Sequence, residues 1–118
     1  MDITVLHNPR CSTSRAALAA CEEADVEPTI VRYLDTPLNE QAVLDLLEIL
    51  EDDPADLIRR DATFQELDLS DEDIDSPEKV AALLAEHPKL MQRPVLITEG
   101  RAIIGRPKDR VPTFLADA

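Results

Sequence analysis

The chain has 118 residues, 44 % of them apolar, and a net charge of −13 from 25 acidic and 12 basic side chains. That is enough for one ordinary core and too apolar for a disordered chain. It is too acidic for non-specific nucleic-acid binding, which needs basic surface to displace counterions, and no apolar run nears the roughly 18 residues of a membrane span.

The N-terminal residues, Met-Asp-Ile-Thr-Val-Leu-His-Asn-Pro, lack a basic segment followed by a long apolar run. No secretory signal is expected, and the expected location is the cytoplasm, where Cys11 and Cys21 stay reduced. Two cysteines and two histidines at these positions match no zinc-ligand spacing, so no metal site is expected.

Ile-Thr-Val-Leu at 3–6 predicts a short buried strand, broken by His7-Asn8-Pro9. Ser12 or Thr13 is the expected cap of a helix running to about Ala24, over the alanine-rich stretch 16–20. The β-branched and aromatic run 29–33 predicts a second strand. Strand, helix, strand is a βαβ unit with parallel strands and a right-handed crossover. Residues 38–50 place Val43, Leu44, Leu46, Leu47 and Leu50 on one helical stripe. Pro54 opens a short helix through Leu57 and Ile58, and 68–75 reads as a charged loop. Ser76-Pro77-Glu78 starts a helix that continues through Val80, Leu83 and Leu84 to about His87, before Pro88. Residues 95–98 and 102–104 predict two strands joined by a turn at Glu99-Gly100. Pro107 is expected to start a last helix reaching Phe114 and Leu115. The order βαβ – helices – ββα is an α/β, thioredoxin-like arrangement. It predicts one domain over 1–118 with a helical insertion at about 34–88.

Charge follows the same division. Residues 34–86 hold 17 acidic and 3 basic residues, so the net negative charge belongs to the insertion, where it reads as a solvated helical surface. The flanking segments are near neutral and rich in arginine, and an anion site is expected there. Cys11 falls where the first strand gives way to a helix, whose free N–H groups and dipole favour a thiolate. Arg10 and Arg15 add positive charge, and Ser12, Thr13 and Ser14 add hydroxyls. The plainer alternative is a small buried apolar residue; the basic and hydroxyl neighbours favour a reactive thiolate. Ser14 stands where a Cys-x-x-Cys pair would have its second thiol, so no local disulfide forms. Ala17 stands where a Cys-x5-Arg phosphate loop would have its arginine, which disfavours tyrosine-phosphatase chemistry. Arg59-Arg60, Arg93 and Arg106 lie at element ends, where guanidinium groups hold tetrahedral oxyanions by two-point contacts. Arg93-Pro94, entering a strand, is a candidate cis peptide. Cys21, among alanines deep in the first helix, is expected in the core.

These segments together resemble the glutaredoxin-dependent arsenate reductase family. His-Asn-Pro-x-Cys-x-x-Ser-Arg at 7–15 carries most of the resemblance. Glu-Pro-Thr-Ile-Val-Arg-Tyr-Leu, Leu-Ile-Arg-Arg, Gln-Arg-Pro-Val-Leu-Ile and Ile-Gly-Arg-Pro follow in the family's order over nearly the whole chain. The resemblance implies a thioredoxin-like fold that reduces arsenate to arsenite through a covalent adduct on Cys11. Glutathione would act as co-substrate and glutaredoxin as partner, with no bound cofactor. It implies oxyanion binding by Arg59, Arg93 and Arg106, thiolate stabilisation by His7 and Ser14, and a cis-proline junction at Pro94. Two alternatives share the fold: a general glutathione-linked thiol oxidoreductase, and a regulator-type module that binds RNA polymerase.

Overall fold

A computed structural model describes residues 2–117. In chain order it has β1 (Thr4–Leu6), α1 (Ser12–Glu23), β2 (Thr29–Val31), α2 (Glu40–Ile49), α3 (Ala62–Glu66), α4 (Pro77–Glu86), β3 (Val95–Thr98), β4 (Arg101–Ile104) and α5 (Arg110–Asp117). Short 3-10 helices lie at Pro54–Leu57, Asp71–Ile74 and Pro88–Leu90. The chain forms two compact units. One is built from its two ends, up to Thr36 and from Arg93 onward; the other is Pro37–Gln92.

The first unit is a four-stranded sheet in the order β2-β1-β3-β4. β1 and β2 are parallel, as the βαβ pattern requires, and β3 runs antiparallel to both β1 and β4. This is the thioredoxin-like α/β arrangement. Its register decides where chemistry can sit. Leu6, the last residue of β1, pairs with Val95, the first of β3, and Val95 pairs with Ile104, the last of β4. Leu6 also pairs with Val31, the last residue of β2, so four chain segments meet at one end of the sheet: those leaving β1, β2 and β4 and the one entering β3. Behind them Ile3, Val5, Leu96 and Ile103 of the sheet pack with Ala17 and Cys21 of α1 and with Val111, Phe114 and Leu115 of α5. The Arg101 guanidinium lies over the Phe114 ring, 4.9 Å from its centroid.

The second unit is helical. α2 buries Val43, Leu46 and Leu47, three of the five stripe residues, and packs against α4, which buries Val80, Ala81 and Leu84. Each of its three α-helices has a side-chain cap that the sequence supplies. Asn39, Asp61 and Ser76 accept from the backbone N–H of Ala42, Phe64 and Lys79, at 2.8, 3.2 and 3.3 Å. Such caps contribute about 1 kcal/mol each. No helix among the described residues is long and apolar enough to cross a membrane.

Besides shifts of one or two residues at element ends, such as β2 ending at Val31 rather than at residue 33, local structure differs from the sequence reading in four places. Cys11 itself, not Ser12 or Thr13, is the N-cap of α1. α3 was not expected, because five residues are too few to show helical periodicity; it buries only Phe64. The charged stretch 68–75 contains a 3-10 helix that buries Ile74. The last helix starts at Arg110 rather than Pro107, after tight turns in which the N–H groups of Arg110 and Val111 reach the carbonyls of Pro107 and Lys108.

Gly105 follows β4 and allows a close approach. A Cβ there would lie 2.8 Å from the Pro94 ring and 3.0 Å from Leu96 Cδ1. Gly105→Ala is therefore expected to lower the free energy of unfolding by about 1–3 kcal/mol through overpacking. Gly100→Ala meets no atom within 4 Å but sits at φ +77° in the β3–β4 turn, and should cost about 1–2 kcal/mol by strain alone. Denaturant melts of both variants check this; a Gly105→Ala protein as stable as wild type would contradict the close packing.

Candidate active site

The sheet end collects most of the residues the sequence singled out. The loop leaving β1 is tied down by its own atoms. His7 N–H donates to the Val31 carbonyl at 2.8 Å, and Cys11 N–H to the Asn8 carbonyl at 3.0 Å. Asn8 Oδ1 accepts from Arg10 N–H at 3.0 Å, the local turn that Asn-Pro sequences favour. Arg15 Nη1 donates to the Pro9 carbonyl at 2.9 Å. Cys11 then enters α1 as its cap, with extended backbone (φ −99°, ψ 123°).

Ser14 is fully buried in the first turn of α1. Its Oγ accepts from Asn8 N–H at 3.0 Å and shares a hydrogen bond of 2.7 Å with His7 Nδ1. The buried His7 ring is held below its ordinary imidazole pKa by desolvation, then by the charges of Arg32 and Arg15. A neutral ring acts on Cys11 by bracing Ser14 and the loop rather than as a cation.

The Cys11 thiol is half-buried, and burial alone would raise its pKa. Four contributions outweigh that and hold it below the ordinary thiol value. They are the backbone N–H of Ser14, the Arg93 side chain, the backbone N–H of Thr13 and the charge of Arg106. The large, weakly accepting sulfur makes no formal cap hydrogen bond; the two N–H groups act on it at longer range as part of the helix N-terminus. Arg106 makes the direct contact. Its Nη2 lies 3.2 Å from Sγ, and its Nε donates to the Arg93 carbonyl at 2.8 Å.

Both arginines precede prolines, and both peptides, Arg93–Pro94 and Arg106–Pro107, are cis. The second was not foreseen. Arg93 Nε is buried and has no hydrogen-bond acceptor among the described residues. A buried N–H donor without an acceptor costs about 1–3 kcal/mol, which a bound anion would relieve.

Arg59 belongs to the second unit. Its backbone N–H donates to the Leu90 carbonyl at 2.7 Å, beside a bridge between Ile58 and Met91. Its guanidinium pairs with Asp61 at 3.0 Å, each side chain 29 % exposed. The neighbouring Arg60 reaches Asp71 from a far more exposed position. Cys21 is fully buried, and desolvation pushes its thiol up, so it is a poor nucleophile. Asn8 and Arg110 also shape the site and were not singled out. The Asn-Pro dipeptide signals the first; nothing local signals the second.

Comparisons with known proteins place the chain in a family. The ArsC family model matches residues 6–114. The protein YfgD of Escherichia coli K12, described as uncharacterized, is 40 % identical over 111 residues, covering 92 % of both chains. An arsenate reductase of Neisseria meningitidis is 36 % identical over 116 residues, covering 97 % of this chain and 98 % of its own. The solved structure of an arsenate reductase from Vibrio cholerae superposes with a TM-score of 0.80 at 32 % identity, covering 94 % and 95 % of the two chains. With a thiol activated at a helix N-terminus, two guanidinium groups facing it and a family match that begins at Leu6 and ends at Phe114, the chain belongs to the ArsC family.

Proposed function

We propose that the protein is an arsenate reductase that works through Cys11. One observation carries the proposal: Arg106 on the Cys11 sulfur at 3.2 Å, beside Arg93, whose buried Nε lacks an acceptor. A nucleophile and charged donors for a tetrahedral oxyanion share one end of one sheet. An oxyanion-binding role for Arg59 rests on the resemblance alone.

In this mechanism the guanidinium groups spread the charge of arsenate and of the transition state. The Cys11 thiolate attacks arsenic, and a protonated oxygen leaves as water. The S–As adduct still holds pentavalent arsenic. A glutathione thiolate then attacks the Cys11 sulfur. The electron pair of the S–As bond stays on arsenic, which departs as trivalent arsenite and leaves a Cys11–glutathione mixed disulfide. Glutaredoxin takes up the glutathionyl group and restores the thiolate. With Ser14 in place of a second thiol and Cys21 buried, the resolving thiol comes from outside the chain.

The test is arsenate reduction with glutathione and glutaredoxin, against thioredoxin alone. Turnover is expected only with the first pair. Disulfide exchange without arsenate turnover would instead favour a general glutathione-linked oxidoreductase. Cys11→Ser is expected to abolish turnover, and Cys21→Ser to leave it within a few-fold. An equally inactive Cys21→Ser would require an internal disulfide and defeat the single-thiol scheme.

Arg93→Ala and Arg106→Ala should each lower kcat/KM about ten- to hundredfold, the effect of losing one charge-assisted contact. Arg93→Lys should be impaired too, since an ammonium cannot make the two-point contact. Wild-type constants in all three variants would make these arginines bystanders.

The lowered Cys11 pKa also predicts a stability profile. The folded state gives up this proton at lower pH than the unfolded chain, whose thiol stays near 9.0. Stability from this group is full above that unfolded value and is lost as pH falls through the folded one. The melting-temperature gap between wild type and Cys11→Ser should therefore widen in favour of wild type as pH rises toward 9.0. A gap constant across the series would show an unperturbed thiol.

A further inference from the structure

Arg110 opens α5, where a cation is disfavoured because the helix dipole already presents positive charge there. Its side chain shows what opposes that cost. A single nitrogen, Nη1, donates to the Ile104 carbonyl at 2.8 Å and to the Arg106 carbonyl at 3.3 Å. Those carbonyls bracket Gly105, whose N–H is bound to the Pro94 carbonyl at 2.8 Å. The next three residues, Pro107, Lys108 and Asp109, are exposed, so few packing contacts restrain the segment from its outer side. The backbone that carries the Arg106 guanidinium to Cys11 is thus fixed by Gly105 on one side and by Arg110 on the other.

We propose that Arg110 is the positioning residue of the active site, clamping the carbonyls of Ile104 and Arg106 so that the Arg106 guanidinium stays on the Cys11 sulfur. It touches neither the thiol nor substrate in this scheme; it acts through Arg106. The proposal rests on Cys11 being the working thiol, and its test uses no arsenate, so failure of the one is distinguishable from failure of the other.

The test is a double-mutant cycle read by alkylation of Cys11 with iodoacetamide across a pH series, followed at the Cys11 peptide by mass spectrometry. Arg106→Met and Arg110→Met should each move the midpoint upward. Below the wild-type midpoint each should slow alkylation about three- to tenfold, since part of the lost thiolate fraction is offset by the greater nucleophilicity of a more basic sulfur. In the Arg106→Met background, Arg110→Met should have no further effect, because the contact it holds is already gone. Additive shifts would mean that Arg110 acts on the thiol directly, and a lower melting temperature with an unmoved midpoint would mean that it is only structural; either result overturns the proposal. Arg110→Lys, whose one ammonium can serve both carbonyls, should keep at least half of the wild-type effect, and equivalence to Arg110→Met would count against the clamp. Should Arg110→Met fail to fold, the same cycle is run with Arg110→Lys, whose residual shift must vanish once Arg106 is methionine.

Discussion

A guanidinium resting on a half-buried sulfur needs two parts of the chain 95 residues apart in sequence to be held within 3.2 Å. Much of the first unit can be understood as the means to that contact. Its strands are only three or four residues long, yet their register puts Leu6, Val95 and Ile104 in one row. Each segment that follows or precedes that row brings one ingredient: the thiol after β1, Arg93 before β3 and Arg106 after β4. The cost of ionising a half-buried sulfur is then offset locally, by helix N–H groups and two cations. Low dielectric strengthens those same interactions.

The electrostatics of the whole molecule oppose an anionic substrate, since the chain carries a charge of −13. Screening limits that opposition to within about 8 Å at physiological ionic strength, and most of the acidic residues fall between positions 34 and 86. In the proposed function, oxyanion affinity therefore cannot come from long-range steering. It has to come from contact geometry, from planar donors already aimed and already desolvated. The buried, unsatisfied Nε of Arg93 makes sense in those terms, as a donor kept dry for an acceptor.

The βαβ and ββα halves were legible because their strands are dense in β-branched residues and bounded by Pro9, Pro28, Pro94 and Gly100, each a local instruction. The start of α4 at Ser76-Pro77 was legible for the same reason; the Asn39 cap of α2 was not, because the apolar stripe was read from residue 38. α3 was not, since a five-residue helix buries one side chain and leaves no period to detect. Cys11 as the cap of α1 defied propensity, which ranks Ser12 and Thr13 above it. That is the pattern expected where a local rule gives way at a functional position. In the site, the thiol and the arginines could be picked out by residue type and place. The route by which His7 would act was not legible: the resemblance implies thiolate stabilisation without saying how, whereas burial, Arg32 and Arg15 favour a neutral ring hydrogen-bonded to Ser14.

What sequence reading handles least well is a residue that works through another residue's backbone. Asn8 holds the thiol loop through the backbone N–H groups of Arg10 and Cys11, which donate to its Oδ1 and its carbonyl, and Arg110 holds the loop of Arg106 by that loop's own carbonyls. Neither bond depends on the identity of the residue whose backbone it grips, so no pairing of residue types marks it in the sequence. The constraint runs the other way as well. Because Gly105 leaves no room for a Cβ against Pro94 and Leu96, the segment between β4 and α5 has little freedom to settle elsewhere, and a clamp on two of its carbonyls is enough to aim a guanidinium at the sulfur. Precision at the thiol is thus built from backbone restraint on both arms of the contact, with the charged side chains carried on supports that are themselves hydrogen-bonded.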